Sequence, residues 1–123
     1  MKSVLLLAVI MVLPFVVNAD PQQGEEPVLT GQELLAACTG TGADANDSKH
    51  FCYQFIGGLV GTVSQLQAAH PEMKLFCVPI DKVSVQDVAQ SLVGWLKAHA
   101  DELHEAAYQL AGQALHQAYP CDG

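Results

Sequence analysis

The sequence predicts an all-α fold: a bundle of four helices stapled by two disulfides, behind a cleaved signal peptide. Three observations lead there. Apolar residues recur at helical spacing in separate segments. Thr30 and Ser84 each stand three residues before an acid, Glu33 and Asp87, in the order of a capping box. Four cysteines form an even set in a chain that opens like an exported one.

The opening is Lys2, an apolar run from Val4 to Val17 broken only by Pro14, and then Val17, Asn18 and Ala19 ahead of Asp20. That is the charged, apolar and small-residue order of a secretory signal, with cleavage expected after Ala19. The run is shorter than the roughly 18 to 20 residues a membrane span needs, and no stop-transfer charges follow it. Residues 1–19 are therefore read as a signal peptide. Residues 20–29 carry two prolines and two glutamates and read as a flexible leader, and residues 30–123 read as one helical domain. The mature protein has no further stretch able to span a membrane.

The formal charge is −8, there is no arginine, and Lys49, Lys74, Lys82 and Lys97 are scattered. Phosphate backbones and anionic lipid surfaces call for clustered cations, so this balance argues against nucleic acid and membrane partners. An acidic surface suits a basic protein, or serves solubility.

Thr30 caps a first helix that runs to Cys38 and buries Leu34 and Leu35; the Gly, Thr, Asp and Asn residues of Thr39–Ser48 read as loop. Cys52, Phe55, Ile56, Leu59, Val63 and Leu66 define a second helix over Lys49–Ala69, ended by His70 and Pro71. Gly57, Gly58 and Gly61 lie inside it, each costing about 1 kcal/mol relative to alanine, which suggests that another backbone comes close there. A lipid-embedded Gly-x-x-x-Gly dimer face is rejected, because the same helix carries Gln54 and Gln65. Phe76, Cys77, Val78 and Pro79 form a connector. Ser84 caps a third helix with Val85, Val88, Ala89, Leu92, Trp95 and Leu96 on one face. A break near His99 and Ala100 then leads to a fourth helix whose first turn holds Asp101 and Glu102, and which ends before Pro120.

Helix order bears on the cysteines. Cys38 ends the first helix and Cys52 begins the second, so they share one end of an alternating bundle; Cys77 precedes the third helix and Cys121 follows the fourth, at the other end. Of the three connectivities that four cysteines permit, this favours Cys38 with Cys52 and Cys77 with Cys121. A metal site is disfavoured because no Cys-x-x-Cys or Cys/His ligand pair is present.

Catalytic patterns are not found. His104 and Glu105 begin like the His-Glu-x-x-His helix of zinc proteases, but Tyr108 replaces the second histidine and with it half of the metal grip. His50, His70, His99 and His116 lack a nucleophile at recognisable spacing, and Ser64 and Ser91 lack motif context. Phe51, Phe55, Phe76, Trp95 and Tyr108 are assigned mostly to the core. Neither an enzyme nor a cofactor protein is expected.

The residues do resemble a family. Gly31, Leu34, Leu35 and Cys38, then Cys52 with Phe55, Ile56, Gly57 and Gly58, then Phe76, Cys77 and Pro79, and above all Val88 through Cys121 are similar to the Rap/Tai-type immunity proteins. Ala100 stands where that family places a proline. The resemblance implies an HdeA-like helical fold and a periplasmic address. It also implies stoichiometric occlusion of a cognate type VI secretion effector, with a peptidoglycan amidase as one effector class; it names neither the effector nor the binding residues, and it leaves room for a homodimer. Two other readings share these features: an acid-stress chaperone of the HdeA type, loosened by protonation of carboxylates and histidines, and a structural or ligand-carrying envelope protein.

Overall fold

Thr30 and Ser84 start helices as their local sequence dictates. In the computed structural model, which describes residues 28–41 and 44–122, each cap oxygen accepts from the N–H three residues on. Glu33 and Asp87 accept in return from the cap's own N–H. Helix α1 spans Gly31–Thr39, α2 Ala45–Ala69, α3 Val85–Ala98 and α4 Ala107–Ala118, with a single 3-10 turn at Ala100–Glu102. These are the four helices of an all-α fold, and the described residues include no strand. None of these helices is long and apolar enough to cross a membrane. The signal expected at residues 1–19 lies outside the described residues, as does most of the leader. Leu29, read as leader, instead packs against the core, and its carbonyl accepts from the Ala107 N–H at 2.7 Å.

α1 ends at Gly40, whose φ of 66° is left-handed. There the Gly40 and Thr41 N–H groups donate back to the carbonyls of Ala37 and Ala36, closing the last turn. α2 begins four residues before the expected Lys49, at Ala45. Asn46, Asp47 and Ser48 look like loop by composition, yet short polar residues are equally at home in a helix's first turn, where Asp47 meets the positive end of the dipole. The cysteines pair Cys38–Cys52 and Cys77–Cys121, the pairing favoured by helix order. With sequence separations of 14 and 44, the bridges contribute about 3 and about 4 kcal/mol in the chain-entropy account.

The largest departure from the sequence reading is the start of α4. Asp101 and Glu102 lie in the 3-10 turn, and residues 103–106 are not helical. The cause is α1. The first N–H groups of a helix have no partner within it, and those of Gly31 and Gln32 donate to the carbonyls of Glu105 and Leu103, both at 2.9 Å. A helix running through 103–106 would turn those carbonyls along its own axis. Gly31 itself is buried, and a Cβ there would strike the Leu110 side chain and lie 3.2 Å from the Leu103 carbonyl oxygen.

The core is formed by Leu34 of α1, Cys52 and Ile56 of α2, Leu92 and Leu96 of α3, and Leu110 and Leu115 of α4, all essentially fully buried. Among the described residues no polar or charged residue is buried. The expected close approach to Gly57, Gly58 and Gly61 does not occur, since a Cβ at any of them would meet nothing within 4 Å. Packing among the described residues does not account for them.

Two outcomes test this account. Gly31→Ala should destabilise the fold by about 1 to 3 kcal/mol through overpacking, whereas Gly57→Ala and Gly58→Ala should each stabilise it by about 0.5 to 1 kcal/mol. Denaturant unfolding followed at Trp95, the single tryptophan, reads both signs.

The second outcome concerns acid. Backbone and then hydroxyl hydrogen bonds, from Thr30 to Glu33 and from Ser84 to Asp87, hold both carboxyls below their ordinary values of 4.5 and 3.8. Because the folded values are depressed, this stabilisation is complete above the ordinary values and is lost as pH falls through the folded ones. The Tm should therefore decline from about pH 4.5 downward, and the decline should be shallower in the Glu33→Gln, Asp87→Asn double variant.

Candidate functional site

Ile56, Val60, Val63 and Gln67 follow one another at helical spacing along the inner side of α2, and the last of them is polar. Gln67 uses that position to clasp the extended segment 75–80. Its Oε1 accepts from the N–H groups of Leu75 at 2.8 Å and Phe76 at 3.3 Å, and its Nε2 donates to the Phe76 carbonyl at 3.0 Å. The segment forms a strap. Phe76, 3% exposed, plugs into the core beneath it. The Cys77 N–H donates to the Tyr119 carbonyl at 2.8 Å, and Cys77 is bonded to Cys121. His116 of α4 donates from Nδ1 to the Leu75 carbonyl at 2.6 Å, which fixes its tautomer because a carbonyl only accepts. Farther along, the Pro79 carbonyl accepts from the N–H groups of Lys82 and Val83.

With the strap tied at Leu75, Phe76, Cys77 and Pro79, Ile80 is left 68% exposed. A groove of about 460 Å³ lies on one side of the strap, between α2 and residues 78–88. Val60 and Val88 lie at its base, Gly57 and Gly61 bare the α2 backbone, and Ile80 and Val83 stand on the strap side. No ionisable side chain lines it. On the other side a wider groove of about 840 Å³ runs between α2, the strap and the start of α4. Leu59, Val63 and Leu75 make it apolar, while Lys74, Glu105, Gln109 and His116 make its rim polar. Leu66, Met73, Leu75, Ile80 and Tyr108, exposed large apolar side chains, lie on the strap, in these grooves or on the α2 end and turn that lead to the strap.

The residues weighed for chemistry are dispersed. His50 is hydrogen-bonded to Gln54 on the outer side of α2, and His70 Nδ1 lies 3.5 Å from the exposed Glu72 carboxylate. His99 stacks on Trp95 with ring centroids 3.7 Å apart and donates from Nδ1 to the Trp95 carbonyl; the indole donates in turn to Gln117 across to α4. His104 lies in the turn before α4 and Tyr108 lies within α4, so the protease-like string is not one helix. Among the described residues no three of His, Cys, Asp and Glu gather as a metal site would require. Phe76 is in the core as expected, while Phe55 and Trp95 are half-buried and pack against it. Phe51 and Tyr108 are not in the core, being 46% and 55% exposed. What the sequence reading missed is Gln67, whose signal was a lone amide on an otherwise apolar helix face.

A family model described as Rap1a immunity proteins matches residues 30–121. The chain belongs to the Rap1a immunity protein family. The matched span opens on Thr30, the cap of α1, and closes on Cys121, the cysteine that anchors the strap, so it covers the whole disulfide-bonded helical unit. No curated protein matches the chain. For a Rap1a-family chain the chemistry of interest is recognition of an effector.

If Gln67 sets the strap, Gln67→Ala should leave the Leu75 and Phe76 N–H groups without their acceptor, at a cost of about 1 to 3 kcal/mol. Hydrogen exchange should accelerate at those two amides while those of α1 are unchanged.

Proposed function

We propose that the chain is a periplasmic immunity protein that binds one effector of a type VI secretion system in a stoichiometric complex and covers its active site. A peptidoglycan amidase is the effector class put forward. Family membership supports the immunity role. Two disulfides suit an oxidising compartment, and the opening residues supply the export signal, cleaved after Ala19, that would deliver residues 20–123 there. The protein acts by binding, not by turnover.

The observation that carries the surface assignment is the baring of α2 at Gly57 and Gly61 beside a strap fixed from both α2 and the end of α4. Gly costs a helix stability, and here the cost is not offset by any neighbour among the described residues. A partner that lays an apolar side chain against the helix backbone would offset it. The strap needs little reordering on binding, which favours affinity because less conformational entropy is lost.

Expression of the chain in the periplasm should protect cells from one effector and leave them sensitive to others. Gly61→Leu, which meets open space in the free protein, should fold normally, fill the groove and weaken effector binding by about thirtyfold or more, the effect of a hot-spot loss. Failure to protect against every effector encoded beside the gene would sink the immunity reading; full protection by the folded Gly61→Leu chain would move the contact surface elsewhere.

A further inference from the structure

The two disulfides stand in opposite surroundings. In Cys38–Cys52, Cys52 is a core residue at 0% exposure and Cys38 is half-buried. In Cys77–Cys121, Cys77 is exposed and Cys121 half-buried, and neither lies in a helix. Thiol–disulfide exchange separates bridges of these two kinds, because a thiolate attacks one sulfur and displaces the other as a thiolate. Attack on Cys52 would need the nucleophile inside the core. Attack on Cys38 would leave the charge on Cys52 Sγ, in apolar surroundings that disfavour a thiolate. Neither obstacle exists at the second bridge. There Gln67 Nε2 lies 4.0 Å from Cys77 Sγ, placed to donate to charge developing on that sulfur.

We propose that Cys77–Cys121 is a thiol–disulfide exchange site for a dithiol reductant, and that opening it unlatches the strap at Cys77 while the helices stay packed. One thiolate of the dithiol bonds to Cys121 Sγ as the Cys77–Cys121 bond breaks, and Cys77 departs as a thiolate. The second thiol of the reductant, deprotonated, then attacks the reductant's own sulfur in this mixed disulfide and releases Cys121 as a thiolate. The dithiol is oxidised to its disulfide, the cysteine pair is reduced, and the protons of the dithiol pass to the pair through solvent.

What the bridge holds follows from the other ties. Leu75 and Phe76 keep their hydrogen bonds to Gln67 and His116, and Phe76 keeps its place in the core, without help from a cysteine. At Cys77 the N–H donates to the Tyr119 carbonyl, in the same short segment after α4 that the bridge anchors. Once the bridge opens, that hydrogen bond is left to hold the two segments together there. Val78 and Ile80, next along the strap, line the narrower groove, so the latch governs how firmly that wall stands. The fully buried Leu34, Ile56, Leu92, Leu96, Leu110 and Leu115 all lie on helices, and Cys38–Cys52 still ties α1 to α2.

The test treats the oxidised exported chain with dithiothreitol, traps free thiols with N-ethylmaleimide over time, and maps them by peptide mass spectrometry. Cys77 and Cys121 should be labelled about tenfold faster than Cys38 and Cys52, or more. In the species reduced at that bridge alone, helical circular dichroism should be unchanged. Amide hydrogen exchange should accelerate at Cys77 and stay slow at Leu75 and Phe76. With glutathione in place of dithiothreitol, the acid-quenched mixed disulfide should be found on Cys121. The Cys77→Ser, Cys121→Ser double variant should fold and reproduce the exchange pattern of the reduced chain. Equal labelling of both pairs, earlier opening of Cys38–Cys52, loss of helical signal as Cys77–Cys121 opens, or an unchanged Cys77 amide would each overturn the proposal. A glutathione adduct on Cys77 would overturn the direction of attack.

Discussion

The docking of the first turn of α1 on the backbone of residues 103–107 is the constraint on which the rest of the molecule depends. A helix of nine residues is too short to be stable by propensity and must be held by tertiary contacts. This one has every orphan donor of its first turn satisfied. Thr30 donates to the Glu33 carboxylate, Gly31 and Gln32 donate to the carbonyls of Glu105 and Leu103, and Glu33 donates to the Thr30 hydroxyl. The arrangement favours glycine at position 31, because a Cβ there would strike the buried Leu110 side chain and lie 3.2 Å from the Leu103 carbonyl oxygen. It also breaks the chain between α3 and α4. Without that break Glu105 and Tyr108 would belong to one continuous helix, and the groove beside the strap would be built differently.

A second constraint acts on the strap. Gln67 supplies both a donor and an acceptor, and so offers the extended chain what a neighbouring strand would offer. His116 takes the Leu75 carbonyl, the Tyr119 carbonyl takes the Cys77 N–H, and the Cys77–Cys121 bridge makes the attachment covalent. Each polar contact alone is worth about 1 kcal/mol net. Their sum matters because they hold six consecutive residues that have no regular structure of their own. Such a segment presents Leu75 in a fixed position, which a free loop would not do.

What was legible in the sequence was local. Thr30 with Glu33 and Ser84 with Asp87 are complete signals within four residues, and the helices begin where those signals place them. The pairing of cysteines followed from element order. The starts of α2 and α4 were not legible, for two different reasons. At Ala45–Ser48 the same polar residues serve loops and helix starts, so composition does not discriminate. At residues 101–106 the residue types favour a helix, and a contact from a segment some seventy positions away overrides them. Phe51 and Tyr108 illustrate a third limit, since an aromatic on a helix reads as core until the neighbouring elements are known to leave it uncovered. Gln67 was visible only as an exception to a pattern.

The glycines of α2 and the disulfides belong to one balance. Gly57, Gly58 and Gly61 together cost the helix about 2 to 3 kcal/mol relative to alanine, and no contact among the described residues returns it. A domain of this size has only about 5 to 15 kcal/mol of net stability, so a loss of that order is tolerable only with reserve from elsewhere. The Cys38–Cys52 bridge ties the second turn of the same helix to α1, and its contribution of about 3 kcal/mol is of the same size as the loss. α2 can therefore keep glycine at three open positions, while its Cys52, Ile56, Val60 and Val63 face remains packed in the core. A helix optimised for folding alone would carry alanine or leucine at those positions and would close the groove. The Cys38–Cys52 bridge thereby permits a stretch of exposed helix backbone along the groove.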